Sequence, residues 1–313
     1  MQKLDHKPMV SVIIPTYNRG HLISRAIQGV LSQTYQNFEM IIVDDGSTDN
    51  TKEIVGRSGD ERIQYIRHGK NKGAAITRNT GIQASQGKYI CFLDSDDEWF
   101  PLKLEKQVNR FEELNESIGV VYTGCLLKSQ NSGKILAEAE PTFRGEVYKD
   151  LLKGVFLITS TAMIRRICLQ EVGFFDENLP SCEDWDLWIR LSKQYEFDFV
   201  AEPLASYYIH GTQMLTNFNA RVQALEEFIA KYYLDFSKYP PVLARHLKRM
   251  GRWYTLSGNA GKGRKYFWDA IKVYPFMKST YVHLLISMLP CPIYKSLLGR
   301  YYVREVDGHI FYK

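Results

Sequence analysis

The chain has 313 residues, 45% hydrophobic and 24% charged, which is the balance of an ordinary soluble globular protein with room for a full core and a second, smaller unit. Five cysteines, Cys91, Cys125, Cys168, Cys182 and Cys291, are scattered, odd in number and lack metal-ligand spacing, which favours a reducing compartment over a disulfide framework. The formal charge of +5 is uneven: residues 221–313 carry nine Lys and seven Arg against three Glu and three Asp, a net of +10 that leaves −5 for the remainder.

In chain order, residues 1–9 are polar and carry no apolar signal region. Residues 9–14 form an apolar strand that Pro15 closes, and Thr16-Tyr17-Asn18-Arg19-Gly20 leads into a helix over about 21–33. A strand, a polar loop and a helix N-terminus make an anion site. A second strand, 38–43, runs into Asp44-Asp45-Gly46-Ser47-Thr48-Asp49, good turn chemistry that also delivers carboxylates to a strand's C-terminal end. A third strand, 62–66, precedes a glycine-opened helix over 71–81, with Arg78 expected one face away from its packing side. Residues 89–93 are a continuous apolar run, the pattern of a strand buried on both faces.

That run ends in Asp94-Ser95-Asp96-Asp97-Glu98. Ligands of open α/β sheets bind beyond the carboxyl ends of the strands. Crowded carboxylates repel one another unless a positive charge sits among them, and Mg²⁺ or Mn²⁺ carrying substrate phosphates fits that need. A solvated acidic turn capping a helix over 102–114 is the plainer alternative. Four such polar rims at one edge of one sheet favour the phosphate-bearing ligand. Four strands alternating with three helices predict a parallel sheet with right-handed crossovers.

Beyond residue 114 the pattern becomes mixed, with strands at 118–127, 134–137 and 160–164 and a short helix over 145–152. Cys182-Glu183-Asp184-Trp185-Asp186-Leu187-Trp188 opens another helix, where the macrodipole alone accounts for acids in the first turn. A strand over 205–210 ends in His210-Gly211-Thr212, and a single histidine is more often a structural hydrogen-bonder than a ligand. From 218 the chain reads as helical, and Leu247, Met250, Gly251, Tyr254, Gly263, Phe267, Ala270 and Pro275 match a tetratricopeptide-like helix pair turning at Gly258-Asn259. No stretch reaches the roughly 20 apolar residues of a membrane span; residues 281–289 are stopped by Pro290 and Pro292. Aromatic, basic helices there suit an interface with anionic lipid, against a helical lid or dimer contact.

Four ordered segments, Val10 to Arg19, Ile41 to Thr51, Asn71 to Gly73 with Arg78 to Gly81, and Gly87 to Asp97, together resemble the family-2 glycosyltransferases of the GT-A fold. The resemblance implies an α/β protein with a Rossmann-like, mostly parallel sheet flanked by helices and a C-terminal helical extension, divided as 1–8, 9–217 and 218–313. It implies an inverting transferase acting in surface polysaccharide synthesis. The donor would be a nucleotide-diphosphate sugar, a UDP-sugar before others, and the acceptor a hydroxyl of a glycan or lipid-linked molecule. Mn²⁺ or Mg²⁺ would be the cofactor. The location would be cytoplasmic with no nucleic-acid partner, and peripheral contact with an anionic membrane is what the basic, aromatic C-terminal helices add to that expectation. By the same resemblance Pro15, Thr16, Tyr17 and Arg19 would line the nucleotide, Asp44 would accept from the base, and Arg78 would lie near the diphosphate. Asp94 and Ser95 would face the ribose or a metal-bound water, Asp96 and His210 would bind metal, and Asp97 would support that site from behind. Asp184 would be the catalytic base. The other classes considered are a nucleotide-sugar-binding protein without turnover and a metal-dependent nucleotidyltransferase.

Overall fold

The computed structural model describes residues 7–210 and 218–302. Thus the polar start of the chain, Gly211-Thr212 and the last eleven residues lie outside the described residues. The strands are β1 (Val10–Thr16), β2 (Phe38–Asp44), β3 (Ile63–Arg67), β4 (Tyr89–Phe92), β5 (Glu98–Trp99), β6 (Ile118–Ser129), β7 (Ile135–Ala139), β8 (Met163–Arg165) and β9 (Glu196–Ile209). The helices are α1 (Ile23–Leu31), α2 (Thr51–Gly56), α3 (Ala74–Ala84), α4 (Lys103–Glu113), α5 (Tyr148–Lys153), α6 (Arg166–Val172), α7 (Glu183–Ser192), α8 (Phe218–Lys231), α9 (Tyr233–Ser237), α10 (Pro240–Leu256), α11 (Ala260–Val273), α12 (Lys278–Ile286) and α13 (Cys291–Tyr302).

One sheet runs β3-β2-β1-β4-β8-β6-β9-β5, with β7 on β6. The β3-β2-β1-β4 half is parallel, each strand returning through a helix, so the C-terminal ends of β1, β2 and β4 open on one edge. The other half mixes directions: β8 is antiparallel to β4 and to β6, β9 is parallel to β6, and β5 is antiparallel to β9. Side chains alternate across the sheet. Val10, Val12 and Ile14 pack with α1 and α4 on one face, while Ile13, Ile90 and Phe92 pack with α3 and α5 to α10 on the other. Gly81 lets α3 sit directly on β1, since a Cβ there would lie 2.4 Å from Ile13 Cγ2.

Three local expectations change. Residues 160–164 do not form one strand; Thr159–Thr161 is a 3-10 turn ahead of β8, held out of the sheet by hydrogen bonds that Ser160 makes to the acidic loop. The strand expected over 205–210 begins at Glu196, because its first half pairs with β6 from Ile118 to Thr123. Arg78 is buried, not turned away from the packing side, because α7 covers that face of α3 and offers a carboxylate to it.

The C-terminal helices are not a separate layer. Phe228 stacks on Trp185 at a centroid distance of 4.4 Å, and Tyr232, Phe236, Leu243 and Met250 join the same core as Trp188. α10 and α11 pack as a hairpin, where Gly251 and Gly263 allow close approach. Among the described residues, no helix is long and apolar enough to cross a membrane.

Candidate active site

The rim is built from the end of β4. Leu93 is held to β1 through its N–H to the Ile13 carbonyl, and the chain then turns, with the Asp97 N–H donating to the Asp94 carbonyl. Ser160 of the 3-10 turn fastens this loop from below. Its hydroxyl accepts from the Asp94 N–H at 3.2 Å and donates to Asp97 Oδ2 at 2.6 Å. The other Asp97 oxygen accepts from the Tyr208 N–H at 3.2 Å, so Asp97 ties the loop to β9. Burial, then its neighbours Asp96 and Asp94, push the Asp97 carboxyl well above the usual carboxylate range.

Because β9 is tied there, the next residues meet the loop. His210 Nε2 lies 2.9 Å from Asp96 Oδ2, and Arg19 Nε lies 3.9 Å from the same oxygen. Arg25 of α1 donates to the Asp96 carbonyl and to Gln130 Oε1, with its guanidinium 3.5 Å over the Tyr208 ring.

Asp94 faces the other way. Arg78 donates to Asp94 Oδ1 and to Glu183 Oε1, each at 2.8 Å, bridging the end of β4 to the first turn of α7. Beside it, Asp184 accepts from the Trp185 N–H at 2.7 Å and from the Thr159 hydroxyl at 3.4 Å. Burial raises the carboxyls of Glu183 and Asp184 above their ordinary values, although the Arg78 charge draws both down. The helix starts from Cys182 in the left-handed region at φ 65°, an uncommon conformation for a residue with a side chain. Asp186, two residues beyond Asp184 in the same first turn, has a different use: it is fully buried and takes Arg190, Lys231 and Tyr232, locking α7 to the end of α8.

The first two loops form the remaining wall. Pro15 and Thr16 end β1, and the Thr16 hydroxyl is buried without a hydrogen-bond partner among the described residues. Tyr17 is 43% exposed. Asp44 is fully buried; its oxygens accept from the Ser47 N–H at 2.7 Å and from the Tyr65 hydroxyl. Asp45 accepts from His68 and from the N–H groups of Lys72 and Gly73, pinning this loop to the start of α3. The second carboxylate pair thus also braces its loop, and Gly46 at φ 84° is required because a Cβ would press on the Lys70 backbone at 2.9 Å.

Arg19, Asp96 and His210 thus come together, as do Arg78, Asp94 and Asp184, with Ser95 buried between the two groups. Asp44 is turned into its own loop. Sequence reasoning missed Glu183 as a partner of Arg78, Arg25, and the Thr159-Ser160 pair. The only signal for the last was hydroxyls within an otherwise apolar run. For a metal, Asp96 and His210 offer one carboxylate and one imidazole. No group of three or more His, Cys, Asp or Glu side chains is poised to hold one among the described residues. Two protein donors completed by diphosphate oxygens are a set that Mn²⁺ or Mg²⁺ accepts, so the residues fit.

This parallel-then-mixed sheet, flanked by helices and carrying acids past β4, is the GT-A glycosyltransferase architecture. The family model "Glycosyl transferase family 2" matches residues 11–173, over half of the chain, and the chain belongs to that family. It is 39% identical over 209 residues to an uncharacterized glycosyltransferase of Rickettsia bellii, covering 64% of this chain and 29% of that protein, so it spans under a third of that relative. It is 37% identical over 187 residues to the Escherichia coli UDP-Glc:alpha-D-GlcNAc-diphosphoundecaprenol beta-1,3-glucosyltransferase WfgD, covering 59% of this chain and 70% of that protein. Among solved structures, Staphylococcus aureus TarS 1-349 with UDP-GlcNAc aligns at TM-score 0.61 and 17% identity over 97% of this chain and 90% of that one. The mannosyltransferase PcManGT of Pyrobaculum calidifontis, in complex with GDP-Man and Mn²⁺, aligns at TM-score 0.61 and 17% identity over 98% and 88%.

Proposed function

We propose that the chain is an inverting glycosyltransferase that moves a sugar from a nucleoside-diphosphate donor, a UDP-sugar first, to a hydroxyl of a glycan or lipid-linked acceptor in surface polysaccharide synthesis. The observation that carries the reading is the Arg78 bridge. One guanidinium joins Asp94, on the rim where a donor would lie, to the helix turn that holds Asp184. A candidate base and a candidate donor loop therefore share one fixed frame. The diphosphoundecaprenol-linked acceptor in the name of the Escherichia coli relative and the nucleotide-sugar complexes of the two structural neighbours support the substrate class.

In this reading Asp184 takes the proton of the acceptor hydroxyl as its oxygen bonds to the anomeric carbon. The bond to the donor diphosphate breaks on the opposite face, and the nucleoside diphosphate leaves with the electron pair. Burial suits Asp184 to the role by raising its basicity. Thr159 and the Trp185 N–H orient its carboxylate. Asp96 and His210 would hold Mn²⁺ or Mg²⁺, which would supply positive charge to offset that on the leaving diphosphate. Asp94 and Ser95 face the ribose, and Pro15, Thr16, Tyr17 and Arg19 line the nucleotide. Asp44 accepts from the base and also fixes its loop through the Ser47 N–H and the Tyr65 hydroxyl. Arg78, whose Nε is buried without a partner among the described residues, supports the diphosphate side. The enzyme works on the cytoplasmic side of the membrane.

Incubation with a panel of nucleotide sugars and Mn²⁺, with and without EDTA, tests this. Release of a nucleoside diphosphate that EDTA abolishes supports the reading. Release of pyrophosphate from a nucleoside triphosphate would indicate nucleotidyl transfer instead, and metal-independent turnover would remove the metal assignment.

A further inference from the structure

Apolar side chains left in water are concentrated in one part of the molecule. Nine of the sixteen exposed large apolar residues among the described residues fall between Trp268 and Leu297. On α12 and the following turn, Leu284 packs inward while Tyr281, Leu285 and Met288 stand outward at intervals of three and four residues, the last two 64% exposed. On α13, Tyr294 is fully buried and Ile293 and Leu297 face out. Phe276, at the tip between α11 and α12, is 78% exposed. Two consecutive helices and the tip before them thus each leave large apolar side chains in water, a concentration of the kind that marks an interaction surface.

The charge around it selects the partner. Between residues 270 and 302 there are four Lys or Arg and no Asp or Glu. A protein surface would ordinarily present both signs to its partner, whereas an apolar segment whose residues 270–302 carry cations and no acid, with Asp269 just before it paired to Lys272 at 3.8 Å, matches the acyl boundary and anionic headgroups of a lipid leaflet. The helices are too short to span a bilayer and already pack inward through Leu284 and Tyr294, so they can lie only in the plane of the surface. We propose that the outward face of α12 and α13, with Phe276, docks the protein on an anionic membrane. The docking is independent of sugar transfer, and its failure leaves the proposed chemistry untouched.

The test is co-sedimentation of the full chain with phosphatidylglycerol-containing vesicles and with pure phosphatidylcholine vesicles, at low and high salt. The protein should pellet with the anionic vesicles at low salt and be released by salt. The Leu285→Asp, Met288→Asp double variant should melt as the wild type does, because both positions are exposed. It should partition about tenfold or more weakly, since two side chains no longer enter the acyl boundary. Lys278→Glu should weaken binding and flatten its salt dependence. Equal binding to both lipids, no binding by the full chain, or unchanged binding by the double variant would overturn the proposal. So would a concentration-dependent dimer that the double variant abolishes while vesicle binding is absent, because a second copy would then cover the face.

Discussion

Arg78 and Glu183 are 105 positions apart in the chain, yet their side chains meet at 2.8 Å inside the protein. Since the same guanidinium also holds Asp94 at 2.8 Å, a single cation fixes the distance between the loop after β4 and the first turn of α7.

Removing that cation should be costly. Arg78→Met leaves two largely buried carboxylates facing each other, and stripping one partner from buried ion pairs typically costs about 3–5 kcal/mol. Arg78→Lys keeps the charge but lacks the fork that serves both carboxylates, so an intermediate loss is expected. The urea midpoint measures it; a methionine variant as stable as the wild type would show that the bridge contributes nothing.

As the proposed base, Asp184 should set the acid side of the pH profile. Its folded value is raised, chiefly by burial, and it acts only when deprotonated, so kcat should fall with acidification at a pH above that of a free aspartate. Thr159→Val removes a hydrogen bond to the charged form and should move the limb to still higher pH. The same sign governs stability. Asp97, Glu183 and Asp184 bind protons more tightly folded than unfolded, so their contribution is present below the ordinary carboxylate values and is lost as pH rises through the folded ones. A limb in Thr159→Val that stays put or moves downward would contradict this.

The helix bearing Asp184 leans on the C-terminal helices. Phe228 is fully buried against Trp185, so Phe228→Ala should cost about 3–5 kcal/mol in thermal or urea unfolding. Ending the chain near residue 217 removes that side of the core altogether, and such a protein should lose cooperative unfolding. Retention of a sharp transition would show that α8 to α10 are dispensable.

Much of this frame was legible in the sequence. Continuous apolar runs at β1, β2 and β4 are the pattern of strands buried on both faces, as in a parallel sheet covered by helices, and each ended where its polar loop began. The four motifs then fixed which edge carried chemistry. What could not be read was set by distant partners. Arg78 looked solvated because Glu183 covers it from 105 positions away. Residues 160–164 looked like a strand because nothing local reveals that Ser160 bonds Asp97. The first half of β9 was missed because its order comes from pairing with β6. Nor could the sequence show that Asp44 and Asp45 also brace their loops through the N–H, hydroxyl and imidazole groups around them.

The division of labour between Asp184 and Asp96 is the centre of the account, and one paired measurement addresses it. Donor affinity in Mn²⁺ and single-turnover transfer should be compared for wild type, Asp184→Asn and Asp96→Asn. The first variant keeps the shape of the base but cannot take a proton, so transfer should fall by about 10²–10⁴ while donor affinity stays near normal. The second should weaken donor binding in metal as well as transfer, and its residual affinity should no longer respond to EDTA. Equal loss of donor affinity in both variants, or an Asp184→Asn protein that turns over normally, would contradict the assignment of Asp184 as base and Asp96 as metal ligand.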